Sequence, residues 1–215
     1  VEMYVANHKG EYRVSRMGDG MPFGMREINH DNLLFPFTTE PGVQQTVYFR
    51  FATQGSVRLA LAVWDPKQFL ETDHSYQLLE GICYGAIIVM VFYNLLILAT
   101  TGDRTYLFYV MYSLTFIIAQ MSLDGTSFKY LWPNSLWLAN YSITLFSGIM
   151  GGFLVLFVRS LLQTKTHFPR WDWVLRGLVV MSFAVASSVL FFPYGITLKF
   201  ISSAILLISV VNIIT

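Results

Sequence analysis

Four stretches of this chain contain no charged residue and are long enough to cross a bilayer: residues 81–101, 105–123, 130–158 and 177–198. A fifth uncharged run covers 200–215. A spanning helix needs about 20 mostly apolar residues, because it rises ~1.5 Å per residue through a hydrocarbon layer of ~30 Å. Pro133 disfavours helix at the start of the third run, so that helix is expected from 136 to 158. The expected spans are therefore approximately 79–101, 105–123, 136–158, 175–193 and 197–215. Buried helices of a large soluble core rarely repeat five times with so few charges between them, and that alternative is set aside.

Charge placement divides the chain. Of its 27 charged side chains (14 Lys/Arg and 13 Asp/Glu), residues 1–80 hold 17 and the remaining 135 hold 10. The first part has seven basic against ten acidic residues, a net −3; the second has seven against three, a net +4. The total of +1 hides two different objects, and a soluble single domain is excluded. The expected domains are residues 1–75, outside the cytoplasm, and 76–215, in the membrane. With that orientation the inner loops carry Arg104, Arg159, Lys165, Arg170 and Arg176, and the outer loops only Lys129 and Lys199. Five against two fits the positive-inside rule. Tyr130, Trp132 and Trp137 mark the outer interface, Trp171 and Trp173 the inner one.

Within the spans, Gly81 with Gly85, and Gly148 with Gly152, have the spacing that lets two helix backbones approach closely in lipid. Asn94 is the most polar mid-span group of the first helix, and an interhelical hydrogen bond is its expected role. No ionisable residue falls in the middle of any expected span, which argues against a pump or transporter. Basic residues are few and scattered, so no nucleic-acid partner is expected. The lone Cys83 allows no intrachain disulfide. His8, His30, His74 and His167 have no metal-ligand spacing, no nucleophile elbow or phosphate loop is present, and no catalytic, cofactor or metal residue is assigned. Asn140-Tyr141-Ser142 fits a glycosylation sequon but lies at a membrane boundary, and Gly18-Asp19-Gly20 reads as a turn.

The first 77 residues have strand character. Val1, Met3 and Val5 alternate with Glu2, Tyr4 and Ala6, and residues 47–51 and 57–64 are rich in β-branched and aromatic side chains. Residues 33–38 are a weaker candidate, limited by Pro36 to an edge or bulge. Short strands at this spacing imply an antiparallel sandwich. Five strands are few for a closed one, and the chain starts at Val1 and stops inside an apolar run. A fragment cut at both ends is expected, lacking N-terminal strands and later spans. Trp64 and Tyr48 are placed to stack on a sugar ring, with a core position as the plainer alternative. After Trp64-Asp65-Pro66 only about a dozen residues are expected before the first span, a short link of the kind that couples domain to helix.

Several local motifs resemble a family. Gly81 and Gly85 are followed by Tyr93-Asn94-Leu95-Leu96, then by Gly102-Asp103-Arg104-Thr105-Tyr106-Leu107. Next come Asp124-Gly125, Tyr130-Leu131-Trp132-Pro133, and Phe157-Val158-Arg159-Ser160-Leu161-Leu162. In this order they resemble the bacterial seven-transmembrane receptors with diverse intracellular signalling modules. Gly18, Pro22, Phe23 and Arg26, followed by Tyr48, Phe49 and Arg50, resemble the end of that family's type-two extracellular domain, a jelly-roll β-sandwich similar to carbohydrate-binding modules. The resemblance implies a receptor in the bacterial inner membrane that senses an extracytoplasmic small ligand, with saccharides as one class. It also implies a cytoplasmic signalling domain in cis, often a histidine kinase or diguanylate cyclase, and leaves a homodimer open. The candidate ligand contacts are Trp64, Tyr48, Arg26 and Arg50. The candidate packing and signalling positions are Gly81, Gly85, Asn94, Gly148 and Gly152.

Overall fold

The computed structural model describes residues 1–6, 12–39, 42–52, 61–192 and 197. They fall into two compact units, one of Val1–Ser56 with Gln120–Ile143, the other of Val57–Ala119 with Thr144–Thr215.

The first unit is built on a three-stranded antiparallel sheet of order β2-β1-β3, with β1 Glu2–Ala6, β2 Tyr12–Arg16 and β3 Val47–Arg50. Register follows the alternation of β1. Met3 and Val5 are buried, opposite Ser15 and Arg13 on one side and Phe49 and Val47 on the other. Phe49 meets Phe35 edge-on, ring centroids 5.9 Å apart, so the apolar run 33–38 packs here as coil rather than as the expected strand. Pro36 has no N–H to give a ladder. The expected strand 57–64 lies partly outside the described residues; 61–64 are irregular.

β2 was not legible, because its alternation is inverted: Arg13 and Ser15 share the inner face, while Tyr12 and Val14 point out. Ser15 is buried, its hydroxyl donating to Glu27 Oε1 at 2.9 Å. Arg13 lies 3.6 Å from the same carboxylate. The Glu27 acceptor lets the Ser15 hydroxyl be buried, while the Arg13 side chain stays largely exposed.

The second unit is helical. α1 runs unbroken over Pro66–Thr101, 36 residues. Asp65 caps it, accepting from the Lys67 and Gln68 amides at 2.9 and 3.3 Å, and Pro66 at the first helical position needs no partner for its missing N–H. Gly102, at φ 66°, ends it in the left-handed conformation, its N–H donating to Leu98 O at 2.8 Å. The residues expected to link strand and span are therefore already helix. Asp103 starts α2 (Arg104–Leu123) by accepting from both the amide and the hydroxyl of Thr105 at 2.8 Å. These two hydrogen bonds, the amide's foremost, hold its carboxyl below the ordinary aspartate range. A short α3 (Thr126–Tyr130), which belongs to the first unit, follows in the chain, then come α4 (Leu136–Leu161), α5 (Thr164–His167) and α6 (Pro169–Ser188).

Among the described residues, α1, α2 and α4 are long and apolar enough to cross a membrane, and their bounds contain the first three expected spans. α6 begins six residues before the fourth, with Arg170, Asp172 and Arg176 in its first half. The fifth lies outside the described residues except for Thr197. The packed core of the helical unit joins α4 to α6 through Val155, Leu175 and Leu178.

Candidate functional site

The outward face of the sheet carries a row of charged side chains and exposed tyrosines. Glu2 sits at the centre, paired across the strands with Arg16 and Arg50. Arg16 Nε lies 3.0 Å from Glu2 Oε1, and Arg50 Nη1 lies 3.4 Å from Oε2. The Tyr4 hydroxyl donates to Oε2 at 2.7 Å. That hydrogen bond first, then the two guanidiniums, holds the Glu2 carboxyl below the ordinary glutamate range. Tyr48 lies two residues from Arg50 on β3, and Tyr12 four residues from Arg16 on β2, with Val14 between them. Tyr12 and Tyr48, from the two outer strands, approach edge-to-face with centroids 6.1 Å apart, and each is more than half exposed (54% and 55%). A patch of tyrosine rings beside an arginine–glutamate–arginine row thus faces outward.

Of the four ligand contacts expected from sequence, Tyr48 and Arg50 lie here, on alternate residues of one strand. Arg26 does not. Its side chain is only 6% exposed, donating through Nη1 to the carbonyls of His30 and Asp31 at 2.8 and 2.9 Å. Burial lowers its pKa, and Asp19 and Asp31 push it back up. Its place is inside the domain because the guanidinium lies over the Phe23 ring, 4.4 Å from the centroid. Trp64 belongs to the helical unit, half-exposed and edge-on to Phe69 of the first turn of α1. Sequence reading missed Glu2, Tyr4, Tyr12 and Arg16; the hairpin register that aligns them required β2.

The helix positions separate as well. A Cβ on Gly148 would lie 2.9 Å from the Ala186 amide nitrogen, and one on Gly152 would lie 2.8 Å from the Phe183 ring. Both glycines pack α4 against α6. At Gly81 and Gly85 a Cβ would meet no described atom within 4 Å. Asn94 is buried, but its amide donates to Met90 O of its own helix at 2.8 Å, instead of to a neighbour as expected. It lines an open cleft of about 380 Å³ with Tyr93, Asp103, Thr105, Tyr109 and Ser160. There the hydroxyls of Thr105 and Ser160 share a hydrogen bond of 2.8 Å, joining the start of α2 to the end of α4.

Asp172 is a carboxylate of the helical unit held by three side chains. Arg159 Nε donates to its Oδ1 and Nη2 to its Oδ2, Thr164 Oγ1 donates to Oδ1 at 3.0 Å, and Arg176 Nε to Oδ2 at 2.9 Å. The Arg159 hydrogen bond foremost, with Thr164 and Arg176, lowers its pKa from 3.8 to about 2 against the opposing effect of burial. Among the described residues no group of three or more His, Cys, Asp or Glu is placed to hold a metal ion.

Comparison with known proteins adds two family matches. Residues 76–215 match the family described as 7TM diverse intracellular signalling, and residues 1–65 match the 7TMR-DISM extracellular 2 family. No curated protein and no solved structure matches the chain. The first match covers about two thirds of the chain and takes in α2, α4 and α1 from residue 76 onward; the second contains the sheet and names it extracellular. The chain belongs to the seven-transmembrane receptors with diverse intracellular signalling, and is a multi-pass protein of the cell membrane whose N-terminal domain lies outside.

Proposed function

We propose that residues 1–75 sense a small extracytoplasmic ligand on the outward face of the β2-β1-β3 sheet, and that residues 76–215 relay its binding across the membrane. The observation that carries this reading is the row of Arg16, Glu2 and Arg50 beside Tyr12 and Tyr48. A saccharide is the ligand class it fits best. The C–H faces of a sugar ring stack on tyrosine, and its hydroxyls both donate and accept, matching a carboxylate flanked by guanidiniums. The relay ends on a cytoplasmic output domain of the same polypeptide, a histidine kinase or diguanylate cyclase; residues 1–215 supply binding and transmission, without catalysis.

The test is binding of a panel of neutral and acidic oligosaccharides to the chain in lipid nanodiscs, followed by tyrosine fluorescence and calorimetry. At least one saccharide should bind, and Tyr48→Ala and Arg50→Ala should each weaken it about tenfold or more. Binding that survives both substitutions would place the ligand elsewhere, and a panel that fails entirely would remove the saccharide.

A further inference from the structure

The turn between α2 and α4 is not a bare connection. Residues 120–143 belong to the same compact unit as the sheet, and several of their contacts fall on residues 22–31. At one end the Phe23 amide donates to Pro133 O at 3.0 Å. In the middle, Phe23 meets Phe128 of α3 edge-on, with centroids 5.6 Å apart and planes at 88°. Arg26 lies over both rings, 4.4 Å from the centroid of Phe23 and 5.6 Å from that of Phe128. At the other end Lys129 Nζ lies 3.4 Å from Asp31 Oδ1, with both side chains mostly covered (16% and 17% exposed). Thr126 Oγ1 donates to Asp31 Oδ2 at 3.5 Å. Gly125 makes the fit possible: its φ is 84°, and a Cβ there would stand 3.1 Å from the Asp31 carbonyl oxygen.

We propose that this turn is locked to residues 22–31 and is a coupling point through which the sheet domain acts on the ends of α2 and α4, separately from the covalent entry through α1. A hydrogen bond, a ring pair with a cation over it, and a largely covered ion pair fix the two segments at three places. A cation and an anion covered together are costly to separate, because each is then left without its partner in a poorly solvated site. α2 and α4 lead straight out of the turn, at Leu123 and Leu136, so a shift of residues 22–31 pulls on two helices at once. This inference does not depend on the ligand being a saccharide.

Coupling of this kind is reciprocal, so it can be read without a ligand. The measurement is amide hydrogen exchange, by mass spectrometry, on the full chain in phosphatidylethanolamine/phosphatidylglycerol nanodiscs. Lys129→Met, on the turn, removes the cation but keeps the length of the side chain. It should raise exchange of residues 22–31 by about tenfold, while the β1 amides stay as they were and Lys129→Arg remains within about threefold of the parent. From the other side, Arg26→Gln should raise exchange at 120–131 and 136–139. Because Arg26→Gln also disturbs the interior of the β-domain, Lys129→Met decides the matter. Unchanged exchange at 22–31 in Lys129→Met overturns the proposal, as does an equal rise in β1, which would make the turn only a general support of the fold.

Discussion

Asp172 shows how much a single side chain depends on its neighbours. Four donors from Arg159, Thr164 and Arg176 surround it, and its carboxyl stays ionised to about pH 2. Because the folded pKa lies below the ordinary 3.8, the stabilisation is complete above that value and is lost as the pH falls through about 2. The 13C shift of the Asp172 carboxyl in nanodiscs should therefore titrate with a midpoint of about 2. In Arg159→Gln the midpoint should move up, since burial then acts with less opposition. A midpoint already in the ordinary range in the parent chain would mean that the Arg159 pair does not form. Nothing in the sequence announced this pair. Arg159 and Asp172 come together across a bend at Gln163, whose φ of 47° is rare for a residue with a side chain.

At the scale of the elements, the membrane helices were the legible part. Charges or a proline bound the first three uncharged runs, so α2 and α4 begin within a residue of where the pattern placed them. The beginning of α1 was misplaced because hydropathy marks only the part in lipid, whereas the helix begins with the Asp65-Pro66 cap. Glycine spacing alone did not distinguish a packed pair from an open one. Gly148→Ala should destabilise the α4–α6 contact by about 1–3 kcal/mol, since the added carbon meets backbone that cannot turn aside. Gly85→Ala should leave stability unchanged or raise it by up to about 1 kcal/mol through helix propensity. Thermal unfolding in detergent compares them. Equal destabilisation by both would show that Gly85, too, is tightly packed.

For the whole molecule, the contrast in charge between the two parts identified a membrane domain and an outer domain, and both family matches agree. What linear reading could not supply was the company kept by the α2–α4 turn: Asp31 and Lys129 are far apart in sequence, and only the folded chain pairs them. The orientation has a direct check. In a Cys83→Ser background, a cysteine at the half-exposed Leu131 should react with a membrane-impermeant maleimide applied from outside. One at the exposed Lys165 should react only after the membrane is opened. Outside labelling at position 165 would invert the topology.

The length of α1 has a mechanical consequence. Its 36 residues make a rod of about 54 Å, against a hydrocarbon thickness of about 30 Å. More than a third of it therefore stands clear of the lipid core. A continuous helix resists stretching and bending far better than a coil, so what it carries best is torque. Each residue added to or taken from its protruding part turns everything beyond by about 100°, and seven residues restore the original facing to within about 20°. In such a shaft the angular phase of the polar stretch after Asp65, rather than its length, sets which side of the helix the rest of the bundle meets.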